Sequence, residues 1–173
     1  MQMSQTPIVR PVSKVNSIIN VLALLIFVIV GWLLGQERGI FVGTLFYLAS
    51  SMLLRRVICR HHQAGIRLCK KKAFKDALPE FQKSLVFFER YPWVDKYRAV
   101  TLLSSAGMGY REMALVCMGF CYSQIGDGDE AKSTYEECIR RFPGNGMAEA
   151  ALRMIDSASH QETAEARPLD GEI

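Results

Sequence analysis

From Ile18 to Leu54 nearly every position is apolar, and the one interruption is Gln36-Glu37-Arg38. The first run, "IINVLALLIFVIVGWLLG" (18–35), carries no charge and approaches the roughly 20 residues that a helix needs to cross a bilayer. A signal peptide would have a shorter apolar region and a small-residue cleavage site, and "GWLLGQERG" offers no A-x-A pattern. The second run, "GIFVGTLFYLASSMLL" (39–54), is short for a span. It would lie without tilt, with Arg55 and Arg56 snorkelling to the surface. Together the runs predict a two-span transmembrane helical hairpin over 17–54, after an N-terminal segment 1–16. Gly31-x-x-x-Gly35 and Gly39-x-x-x-Gly43 flank its turn. Small residues at that spacing let helices approach closely, although glycine is also common near membrane turns.

After Leu54 the pattern becomes amphipathic and an internal repeat emerges. In "GIRLCKKKAFKDALPEFQKS" and "GFCYSQIGDGDEAKSTYEEC", small and aromatic residues recur at matching offsets from Gly65 and Gly119. Ala77 and Ala131 hold one shared offset, Phe81 and Tyr135 the next, and Ser84 and Cys138 the last. The spacing predicts antiparallel helix pairs, with small residues where backbones approach and rings beside them. "WVDKYRAVTLL" places Trp93, Tyr97, Val100 and Leu103 near helical spacing after a candidate Asp95 cap, predicting a short extra helix in an insertion at about 93–110. "SSAGMG" lacks the Lys-Ser/Thr ending and preceding strand of a phosphate loop and reads as a turn. "GMAEAALRMIDSAS" predicts a capping helix whose Arg153 faces outward. The polar, aperiodic stretch 160–173 reads as a disordered tail.

These repeats resemble the tetratricopeptide family. The second copy carries Leu115, Gly119, Tyr122, Ala131, Tyr135 and a closing Pro143; the first carries Gly65, Ala77 and Phe81 but has Leu68 where the family has an aromatic, a late Pro92, and Pro79 inside its second helix. The resemblance implies an all-α chain in which the hairpin is followed by a short helical solenoid over 55–159. It also implies a partner-binding groove lined from the first helix of each pair, at His62, Ile66, Lys70, Met113, Val116, Phe120, Ser123 and Gln124. That set lacks the asparagine and lysine combination with which some family members clamp a carboxylate. It suits an amphipathic helix or a hydrophobic segment. Alternatively, the insertion packs on these side chains and leaves no open groove.

Charge adds orientation. Seven basic residues and no acid lie between Arg55 and Lys72. A basic cluster directly after an apolar run points to an anionic membrane surface, contacted by Arg55, Arg56 and Arg60, rather than to nucleic acid. Basic residues on both outer flanks and only Arg38 in the turn predict both termini and the helical domain on the cytoplasmic side, with a bacterial inner membrane as the expected setting.

The candidate chemistry is thin. Cys117 and Cys121 share a helix face, but a zinc site needs further ligands, and buried small side chains account for them better. Five cysteines, an odd number, suit a reducing compartment. "DGDE" (127–130) lacks the ligand spacing of a calcium loop and reads as a turn into a helix. His61-His62, beside Arg60, reads as a solvated or lipid-facing pair. The expectation is therefore no enzyme, no metal and no cofactor. The leading reading is a membrane-anchored scaffold that binds a protein partner. The alternative is a structural component that assembles, with itself or in a larger complex, through its hairpin and touches lipid through its basic cluster.

Overall fold

The computed structural model describes residues 14–165 except 103 and 105. Leu103, residues 1–13 of the expected N-terminal segment and 166–173 of the expected tail therefore lie outside the described residues. Among the described residues the elements are all helices: α1 (Lys14–Ile58), α2 (Arg60–Lys70), α3 (Phe74–Arg90), α4 (Pro92–Lys96), α5 (Arg98–Thr101), α6 (Tyr110–Ile125), α7 (Gly128–Arg141) and α8 (Gly146–Glu165).

As a single rod, α1 would hold Asn20 and Tyr47 about 40 Å apart. Instead the Tyr47 hydroxyl donates to the Asn20 carbonyl at 3.4 Å, and Phe27 packs on Phe46 and Tyr47 with ring centroids 5.9 and 5.7 Å away. The chain therefore reverses around the polar break, and Lys14–Gly35 lies along Arg38–Ile58. A methyl on Gly31 or Gly39 would collide with the other's carbonyl, and one on Gly43 with that of Phe27, whereas Gly35 has open space beside it. Close approach thus uses Gly31, Gly39 and Gly43, while Gly35 takes no part. The two stretches run 22 and 21 residues, or about 33 and 32 Å, close to the hydrocarbon thickness of a bilayer. The second is longer than its apolar run because the helix continues through Arg55 and Arg56 to Ile58. Their outer faces are strongly exposed, Leu34 at 84% and Phe41 at 78%.

Only Cys59 separates α1 from α2, and the helical bond pattern crosses it: Cys59 N–H donates to Arg55 O at 3.1 Å and Gln63 N–H to Cys59 O at 2.9 Å. Beyond it, α2 packs on α3, α3 on α6, α6 on α7 and α7 on α8. The two pairs α2–α3 and α6–α7 share one contact. A methyl at Gly65 would lie 2.7 Å from the Phe81 ring, and one at Gly119 2.8 Å from the Tyr135 ring. Ala77, Phe81, Ala131 and Tyr135 are buried beside them, and Tyr122 is half-buried against the second pair. Pro79 is exposed within α3 and does not end it.

The turns follow local chemistry. Gly126 caps α6 at φ 85°, and the Asp127 carboxylate accepts from Glu130 N–H at 3.3 Å to start α7, so "DGDE" is a helix start. Pro143 is exposed after α7, and Asn145 opens α8 by accepting from Ala148 N–H at 2.8 Å. Arg153 points outward, while Ala151, Leu152 and Ile155 pack toward α7. The helix runs on to Glu165, so the expected tail begins as helix.

Candidate functional site

The insertion forms two short helices, α4 and α5, and Asp95 does not cap the first of them. It lies inside α4, 3% exposed, and reaches across to start α6. Its Oδ1 accepts from Tyr110 N–H at 2.7 Å, and Oδ2 accepts from the Arg111 backbone N–H at 3.3 Å and from Arg111 Nε at 3.2 Å. An N-terminal turn carries unsatisfied donors and a positive dipole end, and a carboxylate answers both. Gly109 is required by the approach, since a methyl there would stand 2.9 Å from Asp95 Oδ2. Glu112 continues the network: Oε2 accepts from Gly109 N–H at 3.3 Å and Oε1 from Asn145 Nδ2 at 2.7 Å, joining the starts of α6 and α8.

The same insertion is fastened to the apolar helices. Asn16 Nδ2 donates to Ala106 O at 2.9 Å, and Arg55 Nε donates to Leu102 O at 3.1 Å. Arg98 holds the intervening loop, donating from Nε to Ala106 O at 2.9 Å, from Nη2 to Gly107 O at 2.6 Å and from Nη1 to Asp95 O at 3.1 Å. Beneath lies one apolar cluster of Cys59, Phe88, Val94, Leu102 and Tyr110, with Ile58 and Met113 at its edge. Phe88 stacks on Tyr110 at 4.8 Å. The base of α1, the start of α2 and the insertion therefore form one joint.

This joint takes residues from the expected groove. His62 is 1% exposed, with its ring edge-on to Phe81 and Tyr110 at 5.5 and 5.3 Å. Val116 is 8% exposed in the core. Met113 packs against the joint, and Ile66 against Ala77, Phe81 and Cys121. His62 and Val116 are therefore closed off from any groove, whereas Ile66 and Met113 are half-buried, each packed on one side. Lys70, Ser123 and Gln124 are exposed, Ser123 donating to Gly119 O at 3.0 Å. Phe120 is half-buried against Phe74 at 5.8 Å.

The basic residues separate similarly. Arg56 and Arg60 are exposed, whereas Arg55 is engaged by the insertion. The expected His61-His62 pair is also corrected. His62 is core, and His61 Nδ1 lies 2.8 Å from Glu80 Oε2. Hydrogen bonds from Lys83 and then His61 hold the Glu80 carboxyl below its ordinary value.

Sequence spacing puts Cys117 and Cys121 on one helix face, and the structure sets Cys69 of α2 beside Cys121, with sulfurs 3.4 Å apart. That hydrogen bond lowers the pKa of the Cys69 thiol and, with burial, raises that of Cys121. Burial pushes Cys138 up to about 12 and Tyr135 likewise to about 12. Among the described residues, no group of three or more His, Cys, Asp or Glu side chains is placed to hold a metal ion.

No family model, no curated protein and no solved structure matches the chain.

Proposed function

We propose that the chain is a membrane-anchored helical-repeat scaffold. Residues 17–54 cross the bilayer as a hairpin with the turn on the far side. On the cytoplasmic side, α2–α8 form a short tetratricopeptide-like stack offered to a protein partner. The observation that carries this reading is the joint. A tether that only localised a domain would need no contact beyond the chain itself, yet Asn16 and Arg55 both bind the insertion. The strongly exposed apolar faces of the two helices support the bilayer, the matched Gly65–Phe81 and Gly119–Tyr135 contacts support the repeat assignment, and the basic flanks support the orientation. With His62 and Val116 buried, the partner surface reduces to Ile66, Lys70, Met113, Phe120, Ser123 and Gln124 with the outer faces of the stack.

The test compares three full-length proteins in mild detergent on native gels: wild type, Phe120→Glu, and a chain whose residues 17–54 are exchanged for an unrelated two-span anchor. A complex lost only with Phe120→Glu supports partner capture by the stack. A complex lost only on exchanging the hairpin replaces this reading with assembly through the membrane helices. A C-terminal tag digested by protease added to intact cells would overturn the orientation.

A further inference from the structure

Among the described residues outside α1, the exposed large hydrophobic side chains are Val86, Tyr91, Trp93, Tyr97, Val100 and Met154, and four of them fall between 91 and 100. They flank the joint. Val94, one residue from Trp93, is 5% exposed in the cluster that includes Ile58 and Cys59 at the very end of the second apolar helix. Tyr97 O accepts from Thr101 N–H at 3.0 Å, one turn from Leu102, whose carbonyl takes the Arg55 side chain. The aromatic cluster is thus pinned within about a helical turn of the level where α1 ends. Cations accompany it: the Arg90 guanidinium lies 5.8 Å from the Tyr91 ring centroid and Lys96 Nζ 5.6 Å from that of Tyr97. Arg56 and Arg60 are exposed at the same end.

We infer that α4 and α5 form an interfacial foot: Trp93, Tyr97 and Val100 enter the headgroup region of the cytoplasmic leaflet, with Arg56, Arg60, Arg90 and Lys96 facing its anionic lipids. This rests on the membrane reading above and adds a third point of contact to the two spans. Amphipathic rings prefer the membrane–water interface, where the ring is shielded and its polar edge stays wet. Basic side chains near an anionic leaflet reinforce that placement. In water the same set would be an exposed apolar patch beside a membrane base. At the interface it becomes a lateral stop that limits tilting of the stack.

The chain carries two tryptophans, and Trp32 lies in the first apolar helix. Trp32→Phe leaves Trp93 as reporter, and Trp93→Phe leaves Trp32. Each full-length variant is reconstituted into phosphatidylcholine vesicles with a minority of phosphatidylglycerol, with or without lipids brominated high on the acyl chain or near the chain end. The expected result is a blue-shifted Trp93 quenched about twofold by the shallow bromines, less by the deep ones, and shielded from aqueous acrylamide. Tyr97→Ser with Val100→Ser in that background should shift the Trp93 emission red and restore acrylamide access. A Trp93 quenched by acrylamide and by neither bromolipid, while Trp32 is quenched by bromolipid, overturns the foot and leaves the spans standing. A Trp32 untouched by either bromolipid overturns the membrane reading itself.

Discussion

Replacing Gly119 by alanine tests the packing of α6 on α7 where the backbone meets a buried ring. Glycine to alanine inside a helix ordinarily stabilises by about 1 kcal/mol. At Gly119 the new methyl would stand 2.8 Å from Cε1 and Cζ of Tyr135 and 3.0 Å from Cδ1. That ring is 4% exposed and has no free end to swing away. Overpacking of this kind costs about 1–3 kcal/mol, so the net expectation is a destabilisation of about 0–2 kcal/mol. Gly128→Ala is the control, because nothing lies within 4 Å of its added methyl. It should stabilise by about 0.4–1 kcal/mol. Combining Gly119→Ala with Tyr135→Leu should recover part of the loss, with a coupling of about 1 kcal/mol or more. Gly65→Ala with Phe81→Leu should couple in the same sense, since the Gly65 methyl would stand 2.7 Å from the Phe81 ring. The assay is urea unfolding of the full chain in non-ionic detergent, followed by pulse proteolysis. A Gly119→Ala protein as stable as Gly128→Ala, with no coupling in either cycle, would refute the packing.

Three further outcomes are expected. Asp95→Ala should cost about 2–3 kcal/mol in the same assay, and Asp95→Asn less, because an acceptor remains for Tyr110 N–H; equal loss in both would assign the effect to charge alone. Mild oxidation should close a disulfide between Cys69 and Cys121, because 3.4 Å between sulfurs leaves only about 1.4 Å to close. Peptide mapping reads that bond, and sulfurs that stay alkylatable after oxidation would contradict the α2–α6 packing. Stability should fall in alkali. Cys138 and Tyr135 have raised folded pKa values, so the unfolded chain loses those protons first. Stability is then complete below about pH 8.5 and drops as pH climbs toward the folded values, by up to about 1.4 kcal/mol per pH unit and group. Cys138→Ala should flatten that slope in urea midpoints taken across the alkaline range, and an unchanged slope would contradict the buried thiol.

What could be read from the chain was local or periodic. The two apolar runs announced themselves because bilayer-length helices need continuous stretches. Gly65 with Phe81 and Gly119 with Tyr135 were legible because each glycine matches a ring at the same offset in both windows. The groove was not legible. His62 and Val116 sit at positions that face a partner in a regular stack, and only the folded structure reveals that they are buried, His62 between Phe81 and Tyr110 and Val116 in the cluster with Leu115 and Tyr135. Asp95 reads in the sequence as a cap for its own short helix, whereas its partner donors are on Tyr110 and Arg111 at the start of α6. A signal was present. Gly109 precedes α6 without a side chain to offer, so the helix needs an acceptor from elsewhere, and Asp95 is the acid in "WVDKYRAVTLL". Cys69 with Cys121 had no such signal, since their proximity depends on how α2 and α6 cross.

The joint also determines what a partner would meet. A domain on a flexible linker samples many orientations, and each binding event pays the entropy of choosing one. Here only Cys59 separates the second apolar helix from α2, bonded to Arg55 on one side and to Gln63 on the other, and the insertion ties back to both apolar helices through Asn16 and Arg55. One attachment would leave rotation about the helix axis; two laterally separated ones remove it. Asp95 and Glu112 then carry that fixed orientation onward, because the starts of α6 and α8 are bonded to the insertion and to each other. The outer face of α8, with Arg153 and Met154 exposed, is thereby tied to the two apolar helices although it is remote from both in sequence. On the proposed topology, a partner in the same membrane encounters that face already oriented. Breaking Asp95 should therefore weaken partner binding more than its distance from any exposed surface would suggest.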